Sequence, residues 1–186
     1  KTDSLVIAVD RAVHYHALCS CARFHQGAFT ASVEHGRAGI ALYERAAKEP
    51  NARAAMLGED AGLGCQEWAG LSLGFLGYPD AASEQIRPLV AAASEPGRGY
   101  ALASARNYAA RVHQLRQEPA EARIQAEEAV RLASERGYAH HRAVGRILRG
   151  WALAALGHGA IGVDEIQEGL ETHQQTGAAC DRPYYL

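Results

Sequence analysis

Gly150-Trp151-Ala152-Leu153-Ala154-Ala155-Leu156-Gly157 decides the fold of this chain. Its small and apolar residues continue a helical pattern from about His140, and the pattern stops at Gly157. An amphipathic run follows from Ala160 to Thr176 and is closed by Gly177. Together they read as the first helix, turn and second helix of one hairpin. An earlier copy stands at Trp68-Ala69-Gly70-Leu71-Ser72-Leu73-Gly74-Phe75-Leu76-Gly77. Two copies imply a stack of helix pairs.

Gly27, Gly77, Gln117 and Gly157 align as turns, separated by 50, 40 and 40 residues. The longer interval holds an irregular insert, Glu49 to Gly64. Seven residues before each turn stand Ser20, Gly70, Ala110 and Gly150, and five after it stand Ser32, Ala82, Ala122 and Gly162, all small. Twelve after it stand Gly39, Leu89, Ala129 and Gly169, mostly small. Small residues at fixed phase are what paired helices need, because bulk there pushes them apart.

The remaining signals fill in the order of elements. Helices are predicted from about Ser4, a potential cap, to Phe24, and from Phe29 to about Lys48, where Gly36 and Gly39 invite a close neighbour. Glu49-Pro50-Asn51 breaks the pattern. A strongly apolar helix is predicted from Cys65 to Phe75, with Glu59-Asp60 read as a loop or a helix start. The next opens at Pro79-Asp80 and reaches about Ser94, with Pro88 expected to kink or break it. Glu95-Pro96-Gly97-Arg98-Gly99 is a turn. Helices then run from Tyr100 to Leu115 and from Ala120 to Arg136, with Gly137 as C-cap.

The chain has 186 residues and a formal net charge of −2. Abundant Ala, Leu, Glu and Arg, with only six prolines, favour helix over sheet. No basic stripe marks it for nucleic acid, and no apolar run is long enough to span a bilayer. Cys19, Cys21, Cys65 and Cys180 are unevenly spaced, which predicts reduced thiols and a cytoplasmic protein. The chain opens without Met and stops at Arg182-Pro183-Tyr184-Tyr185-Leu186, as if another helix were starting, so a fragment of a longer protein is expected.

Chemistry-bearing residues gather near the N-terminus: His14, His16, Cys19, Cys21 and His25. Zinc takes such ligands, but pairs on a helix need i,i+3 or i,i+4 spacing. Cys21–His25 and His16–Cys19 meet it on different faces, which splits the cluster, so no metal site is assigned. No catalytic signature surrounds any cysteine. No phosphate-cradling glycine loop or dinucleotide fingerprint is present, and no cofactor is expected. Glu121, Glu127, Glu128 and Glu135, interleaved with Arg123, Arg131 and Arg136, read as a solvated face with i,i+4 pairs. Trp68 and Trp151 read as core anchors between neighbouring pairs.

A small residue within the first helix, Gly at the turn and small residues in the second helix resemble tetratricopeptide repeats, with a period nearer 40 than 34 residues. Ser20 and Arg23 replace the Gly and aromatic preferred there, and Gln117 replaces a turn Gly. More specifically, Leu76-Gly77-Tyr78-Pro79-Asp80-Ala81, then Arg146-Ile147-Leu148-Arg149-Gly150-Trp151-Ala152-Leu153-Ala154, then Thr176-Gly177 with the closing Arg182–Leu186 run, are similar to the C-terminal helical region of large bacterial signalling proteins. Those proteins place an ATPase domain, often with a nucleotide cyclase or DNA-binding output domain, ahead of such repeats. None of the ATPase or cyclase motifs lies in these residues.

The resemblance implies an all-α, right-handed α-α solenoid of about four tetratricopeptide-like helix pairs, near residues 4–48, 53–94, 98–136 and 139–177, in a single helical-repeat domain. A generic helical bundle is the alternative fold. It also implies a groove lined by first helices: His14, Cys21, Phe24 and His25, then Glu67, Leu71 and Phe75, then Asn107, Arg111 and Gln114, then Ile147 and Trp151. The central Asn107, Arg111 and Gln114 suit a peptide backbone or carboxylate. The expected function is non-enzymatic: a regulatory module of a signalling protein binding a protein or peptide, or other domains of the same protein. A small-ligand sensor and a metal protein built on the His/Cys helix are the alternatives. Self-association through the end faces of a cut solenoid is a further expectation.

Overall fold

The computed structural model describes residues 2–46, 48, 59–94, 97–178 and 184. Among them the chain is all-α, with no strand. Its helices are α1 (Thr2–His25), α2 (Phe29–Ala46), α3 (Glu59–Phe75), α4 (Pro79–Ala93), α5 (Gly99–Leu115), α6 (Pro119–Arg136), α7 (Ala139–Ala155) and α8 (Gly159–Gln175). None is long and apolar enough to cross a membrane. The chain forms two compact units, Lys1–Gln85 and Ile86–Leu186, divided within α4.

In the first unit α1 packs on α2, α2 on α3, and α1 also on α3. In the second unit α5 packs on α6, α6 on α7 and α7 on α8, and α5 also reaches α7. Each unit therefore joins consecutive helices and, in addition, brings the first helix of one hairpin onto the first helix of the next. This is repeat packing rather than a closed bundle.

The four aligned turns are built alike. Gly27, Gly77, Gln117 and Gly157 all take left-handed backbone, with φ of +74°, +85°, +57° and +93°. The next residue's N–H reaches back over the turn in each: Ala28 to the Arg23 carbonyl, Tyr78 to Leu73, Glu118 to His113 and His158 to Leu153, all at 2.9 Å. This satisfies carbonyls that a helix end otherwise leaves open. Gln117 is the only described non-glycine residue with such a φ. Its neighbours brace the turn: Glu118 accepts from His113 Nδ1 at 2.7 Å and Arg116 Nε at 2.8 Å. Those bonds, the His113 one foremost, hold the Glu118 carboxyl below its usual range. Left-handed residues also stand at Gly97, Gly137 and Gly177, so from Gly77 onward one recurs every 20 residues. The 40-residue repeat is thus two helix-and-turn units of equal length.

Small residues sit where helices meet. A Cβ on Gly150 of α7 would fall 2.5 Å from the Gly162 carbonyl oxygen and 2.7 Å from Ile166 Cγ1 on α8. One on Gly169 would fall 3.0 Å from the Ala143 carbonyl oxygen. In α2, Gly36 and Gly39 lie against Cys65 of α3. At the phase of Gly150 and Gly162, the first hairpin carries Ser20 and Ser32 instead. Both are fully buried, and each hydroxyl donates to the other's carbonyl at 2.8 Å. Ser72 of α3 donates to the Ser32 hydroxyl at 2.8 Å. Ala82, Ala110, Ala122 and Ala129 complete the series with no exposure. Across the α7–α8 seam, Glu165 accepts from Arg146 and Arg149, at 3.1 and 2.5 Å.

Several boundaries differ from the sequence expectation. Ser4 lies inside α1 and not at its start. Helix α3 begins at Glu59, before Cys65, although glycines punctuate its first turns. Gly62 lies against the Tyr43 ring, where a Cβ would come within 2.7 Å, so tertiary packing overrides its weak helix preference. Helix α4 runs unbroken through Pro88, since a proline removes one backbone hydrogen bond but leaves those around it. Residues 49–58 and the turn residues 95 and 96 lie outside the described residues. Trp68 and Trp151 are half-buried and not fully enclosed anchors. The α6 charges form the expected solvated face, with Arg131 bridging Glu128 and Glu135.

Helix propensity alone favours Gly150→Ala by about 1 kcal/mol. The contact with the Gly162 backbone reverses the sign, and urea unfolding will read a loss of about 1–3 kcal/mol. Gly159→Ala is the control, because its Cβ meets nothing within 4 Å; it will be neutral or slightly stabilising.

Candidate functional site

The second unit gathers the polar residues assigned to the centre of the groove. Asn107, Arg111 and Gln114 follow one another at i, i+4 and i+7 along α5, so they share a face. Asn107 and Arg111 are only 3% and 4% exposed. Asn107 Nδ2 donates to the His141 carbonyl, in the first turn of α7, at 2.9 Å. Gly145 leaves room for that amide: a Cβ there would stand 3.2 Å from Asn107 Oδ1.

Tyr184 occupies this face. Its hydroxyl donates to Gln114 Oε1 at 2.6 Å. Its ring stands 5.2 Å from the Arg111 guanidinium carbon, which lies 5.4 Å from the Tyr108 ring on its other contact. The cation is therefore met by two aromatic faces, whose quadrupoles attract it. Tyr184 also packs on the core of Ala110, Ala126, Val144, Ile147 and Leu148. One phenol thus uses three different kinds of contact at once.

His141 is buried in the first turn of α7. Its ring meets Tyr100 edge-on at 4.5 Å, and His140, beside it, stands 5.2 Å from His173 of α8. Burial first, then the charges of His140 and Arg111, push the His141 imidazole from 6.5 down to about 4. It is neutral at ordinary pH. Asn107 Oδ1 and His141 Nε2 are both buried, and neither makes a hydrogen bond. Buried polar atoms normally find partners, and these two stand as exceptions.

The other assigned residues are distributed differently. In the first unit Phe24 meets the rings of His25, Phe29, Trp68 and Phe75 at 5.2–5.6 Å, the Phe24–Trp68 separation being 5.2 Å. Phe29 and Phe75 stack at 5.1 Å. His25 also touches Trp68 and, through Nδ1, the Cys21 carbonyl at 2.9 Å. His14 turns away to its own helix, bonding the Asp10 carbonyl at 3.0 Å. Glu67 is buried on α3, and Leu71, at 1% exposure, belongs to the core of its unit. In the second unit Ile147 is likewise a core residue, and Trp151 is half-buried on α7. His16 pairs with His35 rather than Cys19, with Nδ1 atoms 3.2 Å apart. Among the described residues no three His, Cys, Asp or Glu side chains are placed to hold one metal ion. Burial pushes the Cys65 thiol up to about 12, so it is not a nucleophile near neutral pH.

Sequence reasoning missed His141, Tyr108 and Tyr184 as members of the site. The first two lie on helices already assigned to the groove, at phases the turn alignment did not sample. Tyr184 stands 70 residues from Gln114, and no local pattern links them.

Because folding lowers the His141 pKa, the unfolded chain takes up its proton first as the pH falls. The stability contributed by neutral burial is present above about pH 6.5 and is lost progressively down to about pH 4, amounting to about 3 kcal/mol. His141→Gln will flatten this part of the curve, as checked by urea unfolding of both proteins at about pH 7 and about pH 4.

No protein-family model matches the chain, and no curated protein matches it, so its own residues carry the functional argument.

Proposed function

We propose that the chain is a non-enzymatic interaction and regulatory module, built of tetratricopeptide-like repeats, that holds a peptide or protein segment on the α5–α7 face of its second unit. The observation that carries this reading is the seat of Tyr184. A side chain from a segment far along the chain enters the face and meets Gln114, Arg111 and an apolar floor together. An aromatic anchor on an apolar floor with one oriented hydrogen bond and one cation is the composition of a peptide-binding hot spot. The regular 20-residue alternation of helix and turn supports a scaffold that presents such a face rigidly.

In this reading the module belongs to a larger bacterial signalling protein in the cytoplasm, and its partner is another protein or another domain of the same protein. A small-ligand sensor is the second reading, favoured by the buried hydrogen-bonding capacity of Asn107 Oδ1 and His141 Nε2.

Panning a random peptide library displayed on phage against the full 186-residue chain tests the first reading. Enriched peptides will bind the wild type, and Arg111→Ala and Gln114→Ala will weaken them about tenfold or more while the circular dichroism melt stays cooperative. Failure to enrich any peptide, or enriched peptides indifferent to both substitutions, counts against it.

A further inference from the structure

Three of the hairpins are crossed by a pair of polar side chains at one phase, eleven residues before the turn and eight after it. Between α5 and α6 the pair is Arg106 with Gln125, Nη1 donating to Oε1 at 2.7 Å. Between α7 and α8 it is Arg146 with Glu165, at 3.1 Å. Between α1 and α2 it is His16 with His35, whose Nδ1 atoms stand 3.2 Å apart. An arginine facing an amide or carboxylate oxygen is complementary, since one side donates and the other accepts. Two imidazoles are the same group twice. With one proton between them they share an N–H···N bond. With no proton on either Nδ1 they aim two lone pairs at one point, as a chelate requires.

The separation suits a metal ion. Two Zn–N bonds of about 2.0–2.1 Å at a tetrahedral angle hold their nitrogens about 3.3–3.4 Å apart. The two rings are also held in place. His16 precedes Ser20 by four residues on α1, and His35 follows Ser32 by three on α2, so the pair lies one helical turn along the seam that the two serines lock. A Cβ on Gly39 would fall 3.0 Å from His16 Cβ, so the glycine lets α2 pass directly over His16. The Tyr15 ring meets both imidazoles edge-on, at 5.4 and 6.1 Å. Both histidines are half-buried, which leaves one side of the pair open to water. Among the described residues no third His, Cys, Asp or Glu joins them, so water fills the other coordination positions. Imidazole nitrogen suits zinc and its late-transition neighbours rather than magnesium or calcium, which take oxygen. We propose that His16 and His35 form a bidentate site for a divalent zinc-class ion, which clamps α1 to α2 in the first hairpin.

The test titrates zinc chloride into the full chain by calorimetry. His16→Gln and His35→Gln will each bind zinc at least about tenfold more weakly than wild type, because either change leaves a single imidazole. Glutamine keeps a hydrogen-bonding amide opposite the remaining ring, so the helix pairing is disturbed little. His14→Gln and His25→Gln, which alter the other histidines of α1, will bind as wild type does. Zinc will raise the Tm of the wild type and of these two controls, and will leave the Tm of His16→Gln and His35→Gln nearly unmoved. Circular dichroism checks that each variant keeps its helices. X-ray absorption of the zinc-loaded wild type needs no variant, and will show two imidazoles and no sulfur around the ion. One imidazole, sulfur in the coordination shell, or equal affinity of the wild type and both site variants overturns the inference and leaves the pair as a hydrogen bond between helices.

Discussion

Two helices joined by a three-residue turn cannot choose their separation freely. The left-handed residue at Gly27, Gly77, Gln117 or Gly157 folds the chain straight back, and the backbones then meet at a fixed phase before and after the turn. Whatever occupies that phase sets how close the helices come. At Gly150 and Gly162 nothing stands between the backbones, whereas at Ser20 and Ser32 two hydroxyls fill the space and bond to each other's carbonyls. Both solutions meet the same steric limit, one by contact and one by directed hydrogen bonds. Within the second unit, the first-helix faces of α5 and α7 depend on that limit being met in its own two hairpins.

This constraint explains why so much of the fold is legible in the sequence. Turn phase and residue size are local, and the alignment of four turns found both. Gln117 shows that phase outranks identity: a residue with a side chain adopts the left-handed geometry because His113, Arg116 and Glu118 brace the turn around it. Boundaries set by contacts distant in sequence were not legible. The start of α3 depends on Tyr43 lying against Gly62, and no window of sequence around Glu59 contains that information.

The site divides along the same line. Asn107, Arg111 and Gln114 were identified because the turn alignment carries a groove position from one hairpin to the next, and they do share a face. Their surroundings were hidden. The depression of the His141 pKa arises from burial beside His140 and Arg111, and Tyr184 arrives from a segment whose own pattern says nothing about α5. The first-unit residues show the opposite outcome. His14 and His25 carry equivalent promise in sequence, yet one bonds back to its own helix and the other joins an aromatic cluster with Trp68.

The regular spacing of left-handed residues has a consequence for how the chain reaches this structure. Within each unit the helix pairings join sequence neighbours or the next helix but one, so few contacts require distant parts of the chain to find each other. Low contact order of this kind makes loop closure cheap in entropy and folding fast, with hairpins forming early and their neighbours docking after. The Tyr184 contact with Gln114 is an exception, closing a span of 70 residues. Long-range closure of this kind belongs to the last stage of assembly.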